Sequence, residues 1–396
     1  MFLAGEPECE WRAVSDEERD IPDYPRQVRN LLENVKAVCE KQGFTGDNVA
    51  TMCHFFIADI GMKELVRQLA HEIFPQILDG AVTVVPQAPA SGAVIALELW
   101  GIGGDPSAES PVICDTSVPG RFVLAEFDKM RWFFGGGFQP APQPIGAYER
   151  SFNAFEQFRI RLEATRFSRD QLLRTWIYQG HLVSEEGKTQ RYKELNRART
   201  DFFSETQFLK QYLPKEFKGI AYPASTGIGA DGFDVVVSAV ALDTQRKDVM
   251  VVPLENPNQT SAFDYDAAYS PQSPKFSRAM ATAVDKECLI FVSGTASITD
   301  SESQHIGDPV KQTEQTLDNI AALIDGGNLA RHGIKDMPCG LGNLVSARVY
   351  VKRPKDVEAV RQVCQQRLPE VPTIYTIADV CRPELLVEIE GVALAR

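Results

Sequence analysis

The 396-residue chain lacks several features on which whole classes of function depend. None of its eight cysteines forms a Cys-x-x-Cys pair, and its five histidines are scattered. A structural zinc site or a redox dithiol needs such clustering. Cys53 and His54 are neighbours, but successive strand residues point to opposite faces, which makes them poor co-ligands. No metal and no cofactor are expected. Positive charge is scarce: 41 Lys and Arg face 54 Asp and Glu, for a net charge of −13. A nucleic-acid surface needs a basic stripe, so no nucleic-acid partner is expected. No apolar run approaches the ~18 residues of a membrane-spanning helix. The start, Met-Phe-Leu-Ala-Gly-Glu-Pro-Glu, has neither a basic n-region nor a long apolar core, so no signal peptide is expected. Unpaired cysteines in so long a chain then predict free thiols and a cytoplasmic protein.

What is present is ordinary in amount and repetitive in order. Hydrophobic residues make up 44% and charged residues 24%, values typical of a globular protein. Val94-Ile-Ala-Leu-Glu-Leu-Trp-Gly-Ile102 aligns with Leu385-Leu-Val-Glu-Ile-Glu-Gly391-Val, placing Glu98 on Glu388 and Gly101 on Gly391. Phe233 to Ala241 is a third copy, with Val236 in the glutamate position. Helices upstream repeat as well: Gln27 to Val35 matches Gln312 to Ile320, and Glu149 to Gln157 is a looser version. After each comes a strand (Val49 to Ile57, Leu172 to Tyr178, Leu344 to Val351), in which Phe55, Tyr178 and Tyr350 coincide. A second helix then follows: Lys63 to Phe74, Arg191 to Phe203, Asp356 to Leu368.

The unit reads as hairpin, helix, strand, helix, strand, an α/β layer long enough to hold its own core. The expected organisation is a first unit over 1–104, a second over 120–245 and a third over 255–396. Residues 104–120, rich in Pro, Ser, Asp and Gly, read as a loop. Phe2-Leu3-Ala4 reads as a remnant of the first unit's opening strand, and Arg121 to Gly137 as the second unit's hairpin. Asp308 is a natural N-cap, with Pro309 at the first helical position.

Candidate chemistry gathers in the second and third units. Alternation puts Leu386, Glu388 and Glu390 on one strand face and Val387 and Ile389 on the other. Such a face is either solvated or carries a site acid with a raised pKa. Arg174, Trp176 and Tyr178 share a strand face, while Arg191, Leu195 and Arg199 recur at helical spacing, with Tyr192, Leu195 and Asn196 as candidates for the sheet-facing side. These arginines form either a solvated stripe paired with Glu194 or a set gathered to bind carboxylates. Cys288 to Ser297 is an apolar strand ending in small residues, which would let a ligand approach the backbone.

The repeated unit resembles the RidA/YjgF superfamily, whose members are trimers with ligand pockets between subunits. Three such units in one chain imply an α+β pseudo-trimer, acting as a monomer or a low-order homo-oligomer. Roughly 120–396 resembles the chorismatase family more specifically. The motifs that carry this are Arg174-Thr-Trp-Ile-Tyr178, Arg191-Tyr192 through Asn196 and Arg199, Glu255-Asn-Pro-Asn-Gln259, Ser273-Pro-Lys-Phe-Ser-Arg278, Ser293-Gly-Thr-Ala-Ser-Ile298, Gln304-His-Ile-Gly-Asp308 and Cys381-Arg-Pro-Glu-Leu-Leu-Val-Glu-Ile-Glu390.

The resemblance implies that Glu388 protonates the methylene carbon of chorismate's enol ether, and that Glu390 and apolar packing keep it neutral. It implies that Arg174, Arg199 and Arg278, with Tyr178, Tyr192 and Tyr269, hold the substrate carboxylates. One branch of the family adds water and yields a diol. The other lets a ring hydroxyl attack and yields 3-hydroxybenzoate, and Gly294 and Cys381 resemble that branch. Asn258 stands where the family has Arg. Imine-deaminase relatives carry an arginine in the strand before the glutamate, whereas here the position falls near Thr373 in the third unit and Pro86 in the first. The alternative is a superfamily member that binds small metabolites, or a deaminase-like protein, without chorismate chemistry.

Overall fold

The computed structural model describes residues 2–5, 11–12, 21–44, 50–102, 112–115, 121–143, 145–232, 234–265 and 272–396. Two-residue pairings aside, the elements run β1 (Phe2–Gly5), α1 (Tyr24–Lys41), β2 (Met52–Ile57), α2 (Lys63–Ile73), β3 (Ala81–Val85) and β4 (Ile95–Trp100). Next come β5 (Val112–Asp115), β6 (Arg121–Phe127), β7 (Met130–Phe138), α3 (Ala147–Ala164), β8 (Leu172–Gly180), α4 (Arg191–Phe202), β9 (Ala224–Ala230) and β10 (Val235–Thr244). The last group is β11 (Met250–Leu254), β12 (Ala279–Val284), β13 (Glu287–Ala296), α5 (Pro309–Ile324), α6 (Gly326–Arg331), β14 (Leu344–Val351), α7 (Val357–Arg367), β15 (Thr373–Ile377) and β16 (Val387–Ala395).

These strands form three sheets, in the orders β1-β4-β2-β3, β9-β8-β10-β7-β6-β5 and β11-β12-β13-β16-β14-β15. Each contains one parallel pair: β2 with β3, β8 with β9, and β14 with β15. Parallel neighbours need a crossover, which α2, α4 and α7 supply. Asp308 does cap α5, its side chain accepting from Lys311 N. The stretch expected to be a loop over 104–120 contains β5, which pairs with β6. Its Val112 and Ile113 are strand formers that the polar, Pro- and Gly-rich composition of the flanking sequence outweighs.

Helices cover one face of each sheet, and the opposite faces meet in the middle. Val349, Val351, Val387 and Ile389 pack with Leu317, Ile320 and Val360 on the helix side of the third sheet. A second cluster joins all three sheets, taking Phe56 from the first, Tyr178 and Val240 from the second, and Phe291 and Tyr350 from the third. Central strands are therefore buried on both faces, so β2, β4 and β8 have no exposed residue. The expected three α/β units are present, with sheets inside and helices outside. Among the described residues, no helix is long and apolar enough to cross a membrane.

The register corrects one alignment. Gln27 Oε1 accepts from Val94 N at 3.0 Å, and Gln312 Oε1 from Leu386 N at 2.7 Å. These equivalent anchors place Glu98 on Glu390, not on Glu388. Strand pairing agrees: Glu98 lies opposite His54, Ser238 opposite Trp176, and Glu390 opposite Arg348. Opposite Phe56, Tyr178 and Tyr350 stand Ala96, Val236 and Glu388, so Phe56 rather than Phe55 is the aromatic equivalent. The Glu98 slip of two residues keeps every side chain on the same face, which is why the pattern concealed it, whereas Phe55 and Phe56 lie on opposite faces of β2.

Candidate active site

Between the second and third units lies a cavity of about 700 Å³, within the size range of small-molecule sites. The second unit contributes Tyr192, Lys193 and Asn196 from α4, and Ser225 and Gly227 from β9. The third contributes Phe276, Arg278, Gly294 and Ala296 around β12 and β13, then Cys381, Arg382, Glu384 and Glu388 near β16. Cross-unit hydrogen bonds lock these walls. Ser225 N donates to Ser293 Oγ at 2.9 Å, and Gly294 N to Thr226 Oγ1 at 2.9 Å.

Glu388 is 4% exposed, so the solvated reading of its strand face does not apply. Burial first, and then the neighbouring Glu390, raise its carboxyl to about 8, while Arg174 and Arg278 pull the other way. At neutral pH it holds a proton while facing a cavity. Gly294 borders it closely: a methyl group there would fall on Glu388 Oε1 and lie 3.1 Å from Thr226 Cγ2. Cys381 lines the same cavity. Burial, then Glu388, push its thiol up to about 12, so it is a protonated, weakly polar wall group rather than a nucleophile.

Arg278 is the innermost cation on the wall. Its Nη2 donates to Thr260 O at 2.9 Å and to the Tyr265 hydroxyl, and its Nε has no hydrogen-bond partner. The guanidinium lies over the Tyr265 and Phe276 rings, with centroids 5.5 and 5.7 Å away. A buried, oriented guanidinium with an unsatisfied N–H is suited to a ligand carboxylate. Lys193 and Arg382 add positive charge along the walls. A local excess of this kind can draw in an anion despite the chain's net negative charge.

Arg174 and Tyr178 are elsewhere. They lie behind the wall, in the closed centre where the three sheets meet. Arg174 Nη2 pairs with Glu390 Oε2 and also donates to Thr226 Oγ1 at 2.5 Å. Trp176 Nε1 donates to Glu390 Oε1 at 3.0 Å, and Tyr350 does so at 2.8 Å. Tyr178 accepts from Arg348 Nη1 at 2.7 Å. The physical reason is charge balance. Arg174 and Arg348 neutralise Glu98 and Glu390 in a buried region, where an unpaired charge would be costly.

Arg199 stands one layer back, bonded to Asn196 Oδ1 at 2.7 Å and Ser225 Oγ at 3.2 Å, two residues that do line the cavity. The supposed solvated stripe on α4 is not solvated. Arg191 and Arg199 are 4% and 1% exposed; Arg191 pairs with Glu186, and Glu194 with Arg197.

Comparison with known proteins bears on this arrangement. A chorismatase of Streptomyces rapamycinicus is 38% identical over 173 residues, 43% of this chain and 50% of that protein. A 3-hydroxybenzoate synthase of Streptomyces hygroscopicus is 35% identical over 271 residues, 66% of this chain and 74% of that protein. The chain belongs to the chorismatase family. A crystal structure of a chorismatase superposes with a TM-score of 0.66 at 21% identity, covering 98% of this chain and 99% of that one, which shows the shared fold. The family described as Endoribonuclease L-PSP matches residues 271–395, the third unit.

Of the site residues expected from sequence, Tyr192, Arg278, Gly294, Cys381 and Glu388 share this chorismatase-family cavity. Arg174, Tyr178 and Arg199 do not line it, and Tyr269 lies outside the described residues. Sequence reading missed Tyr265, Thr226 and Arg348. For Arg348 a signal existed: an arginine flanked by Ala347 and Val349 inside an apolar strand has to be buried and paired. Tyr265 and Thr226 carried none, because a loop tyrosine and a strand threonine are common everywhere.

Proposed function

We propose that this chain cleaves the enolpyruvyl ether of chorismate, giving 3-hydroxybenzoate and pyruvate. The observation that carries this reading is Glu388, a buried protonated carboxyl facing the cavity with Gly294 and Cys381 beside it. The names of the relatives, one a 3-hydroxybenzoate synthase, support it. Carbon is a weak base, and its protonation needs an acid already carrying a proton at working pH. Arg278 is placed to take one substrate carboxylate, and Lys193 or Arg382 the other. After proton transfer to the methylene, a ring hydroxyl adds to the oxocarbenium carbon. The ring then loses the proton from its ether-bearing carbon and breaks its bond to the attacking oxygen, which makes it aromatic. The resulting hemiketal splits into 3-hydroxybenzoate and pyruvate, whose keto oxygen is the former ring hydroxyl. Atoms balance without added water, and the proton Glu388 gives is replaced by the one the ring loses. The three units act as a pseudo-trimer within the chain, as a monomer or a low-order homo-oligomer, in the cytoplasm. Val236 and Ala96 stand where Glu388 does in the other two units, which leaves this site as the acid-bearing one.

Gly294 and Cys381, which resemble the 3-hydroxybenzoate-forming branch, support this choice of product. Gly294 leaves room for the Glu388 carboxyl at the cavity wall, so acid and ring stand together and the ring hydroxyl is already placed when the cation forms, and placement of this kind can be worth several kcal/mol. The test is incubation with chorismate and chromatographic separation of the products. The parent gives 3-hydroxybenzoate and pyruvate in equal amounts. Cys381→Ala opens space beside the ring, admits water and shifts product toward the diol, whereas Gly294→Ala drives a methyl group onto Glu388 Oε1 and lowers turnover to either product. A parent that releases only diol, or leaves chorismate intact, contradicts the reading.

The pH dependence follows from the raised carboxyl. Glu388 must be protonated in the free enzyme, so kcat/KM is flat below its pKa and falls as pH rises through about 8. The same shift makes the folded chain bind a proton that the unfolded chain releases above 4.5, so this group's contribution to stability declines as pH rises from 4.5 to about 8. An alkaline limb near the ordinary carboxylate range would contradict the assignment of Glu388 as the acid.

A further inference from the structure

The first unit presents Ala96 where the third presents Glu388, yet it is joined to the active site by buried charge. Glu98 accepts from Arg348 on both oxygens, Nε at 2.8 Å and Nη2 at 2.7 Å, and from Trp100 Nε1 at 2.7 Å. Arg348 Nη2 also meets His54 Nδ1 at 3.1 Å. The remaining nitrogen, Nη1, reaches Glu390 Oε1 at 3.1 Å. Glu390 is the next residue after Glu388 on the same strand face. Glu98, Arg348, Glu390 and Glu388 are each 4% exposed or less.

We propose that the first unit positions the active-site charge: Glu98 holds Arg348, Arg348 holds the Glu390 carboxylate, and that carboxylate keeps the proton on Glu388. This rests on the reading of Glu388 as the acid. Every partner of Glu390 points a donor at it: Arg174, Trp176 and Thr226 from the second unit, Arg348 and Tyr350 from the third. Glu390 is thereby fixed as an acceptor beside Glu388. The guanidinium of Arg348 is shared between two carboxylates. Without Glu98 its charge would fall on Glu390 alone and reach Glu388, favouring loss of the proton.

The surrounding groups leave this task to Glu98. Facing Glu388 are Glu390 on its own strand, Arg174 from β8, Arg278 from the segment before β12, Tyr192 from α4 and Cys381 from the loop before β16. Facing Glu98 are Arg348, Trp100, Tyr178 and, from β2, His54, while Cys53 on the opposite strand face feels its charge from behind. Burial, then the Arg348 and Arg174 guanidiniums, hold His54 well below the usual imidazole range. His54 is therefore neutral, and the negative charge on that side comes from Glu98.

The test is Glu98→Gln in the full chain, with two readouts. One is the alkaline limb of kcat/KM for chorismate. The other needs no substrate: the titration of the Glu388 carboxyl carbon by carbon-13 NMR, assigned by its loss in Glu388→Gln. Both move down by about half a pH unit, the effect of one distant charge seen through protein. Should Glu98→Gln not fold, the pair Glu98→Gln with Arg348→Gln, neutral overall, removes the nearer positive charge and moves the titration up instead. A folded variant whose Glu388 titrates as in the parent overturns the proposal and leaves the first unit a structural filler. If the titration moves but chorismate is untouched in the parent, the charge relay stands and the chorismate reading falls.

Discussion

Glu388→Gln keeps the fold and the cavity but stops turnover. Gln has nearly the shape of a protonated Glu, and the site already holds this side chain buried and uncharged. Packing against Gly294 and the walls is retained. What is lost is an acidic proton, since an amide cannot protonate carbon. A positioned general acid is typically worth ~10² to 10⁴ in rate. The loss here is at the upper end, because the neighbouring Cys381 cannot stand in: burial and Glu388 keep its thiol too weak an acid. Binding of a dianionic substrate analogue, measured by calorimetry, stays within a few-fold of the parent. Turnover within tenfold of the parent would remove Glu388 from the role.

Arg348→Leu strikes the closed centre instead, and its effect is on stability. Arg348 is bonded to Glu98, Glu390, Tyr178 and His54 and is 3% exposed. Leucine leaves two buried carboxylates with only Arg174 to balance them. Breaking a buried pair by removing one partner typically costs about 3–5 kcal/mol, a large part of the ~5–15 kcal/mol that holds a domain folded. Urea unfolding followed by tryptophan fluorescence reads this well, because Trp100 and Trp176 sit in the same cluster. A change below about 1 kcal/mol would mean that water reaches the centre and screens the charges, as it does for surface pairs.

The repeat, the layer order and the acid strand were legible in sequence because they rest on local pattern. Period-two alternation around Glu388, the Asp308 cap before Pro309 and the paired Gln27 and Gln312 each act within one unit. Register was less legible. Shifting Glu98 by two residues preserves every face, and it takes the Gln27 and Gln312 hydrogen bonds to the strand backbone and the strand pairing to distinguish the alternatives. The destinations of the arginines were least legible. Arg174 within β8 and Arg278 just before β12 are both buried arginines, yet one faces the sheets' common centre and the other the cavity. That choice is made by how three sheets pack together, and a single strand's pattern does not contain it.

The central claim is that Glu388 delivers a proton to carbon and that the ring hydroxyl then completes the reaction. Turnover of chorismate in heavy water, read by proton NMR and mass spectrometry, tests it most directly. The Glu388 carboxyl exchanges its proton with solvent before each turnover. The account predicts pyruvate with a single deuterium in its methyl group, formed in equal amount with 3-hydroxybenzoate and absent in Glu388→Gln. Unlabelled pyruvate, labelled pyruvate accompanied by the diol alone, or unconsumed chorismate would contradict it.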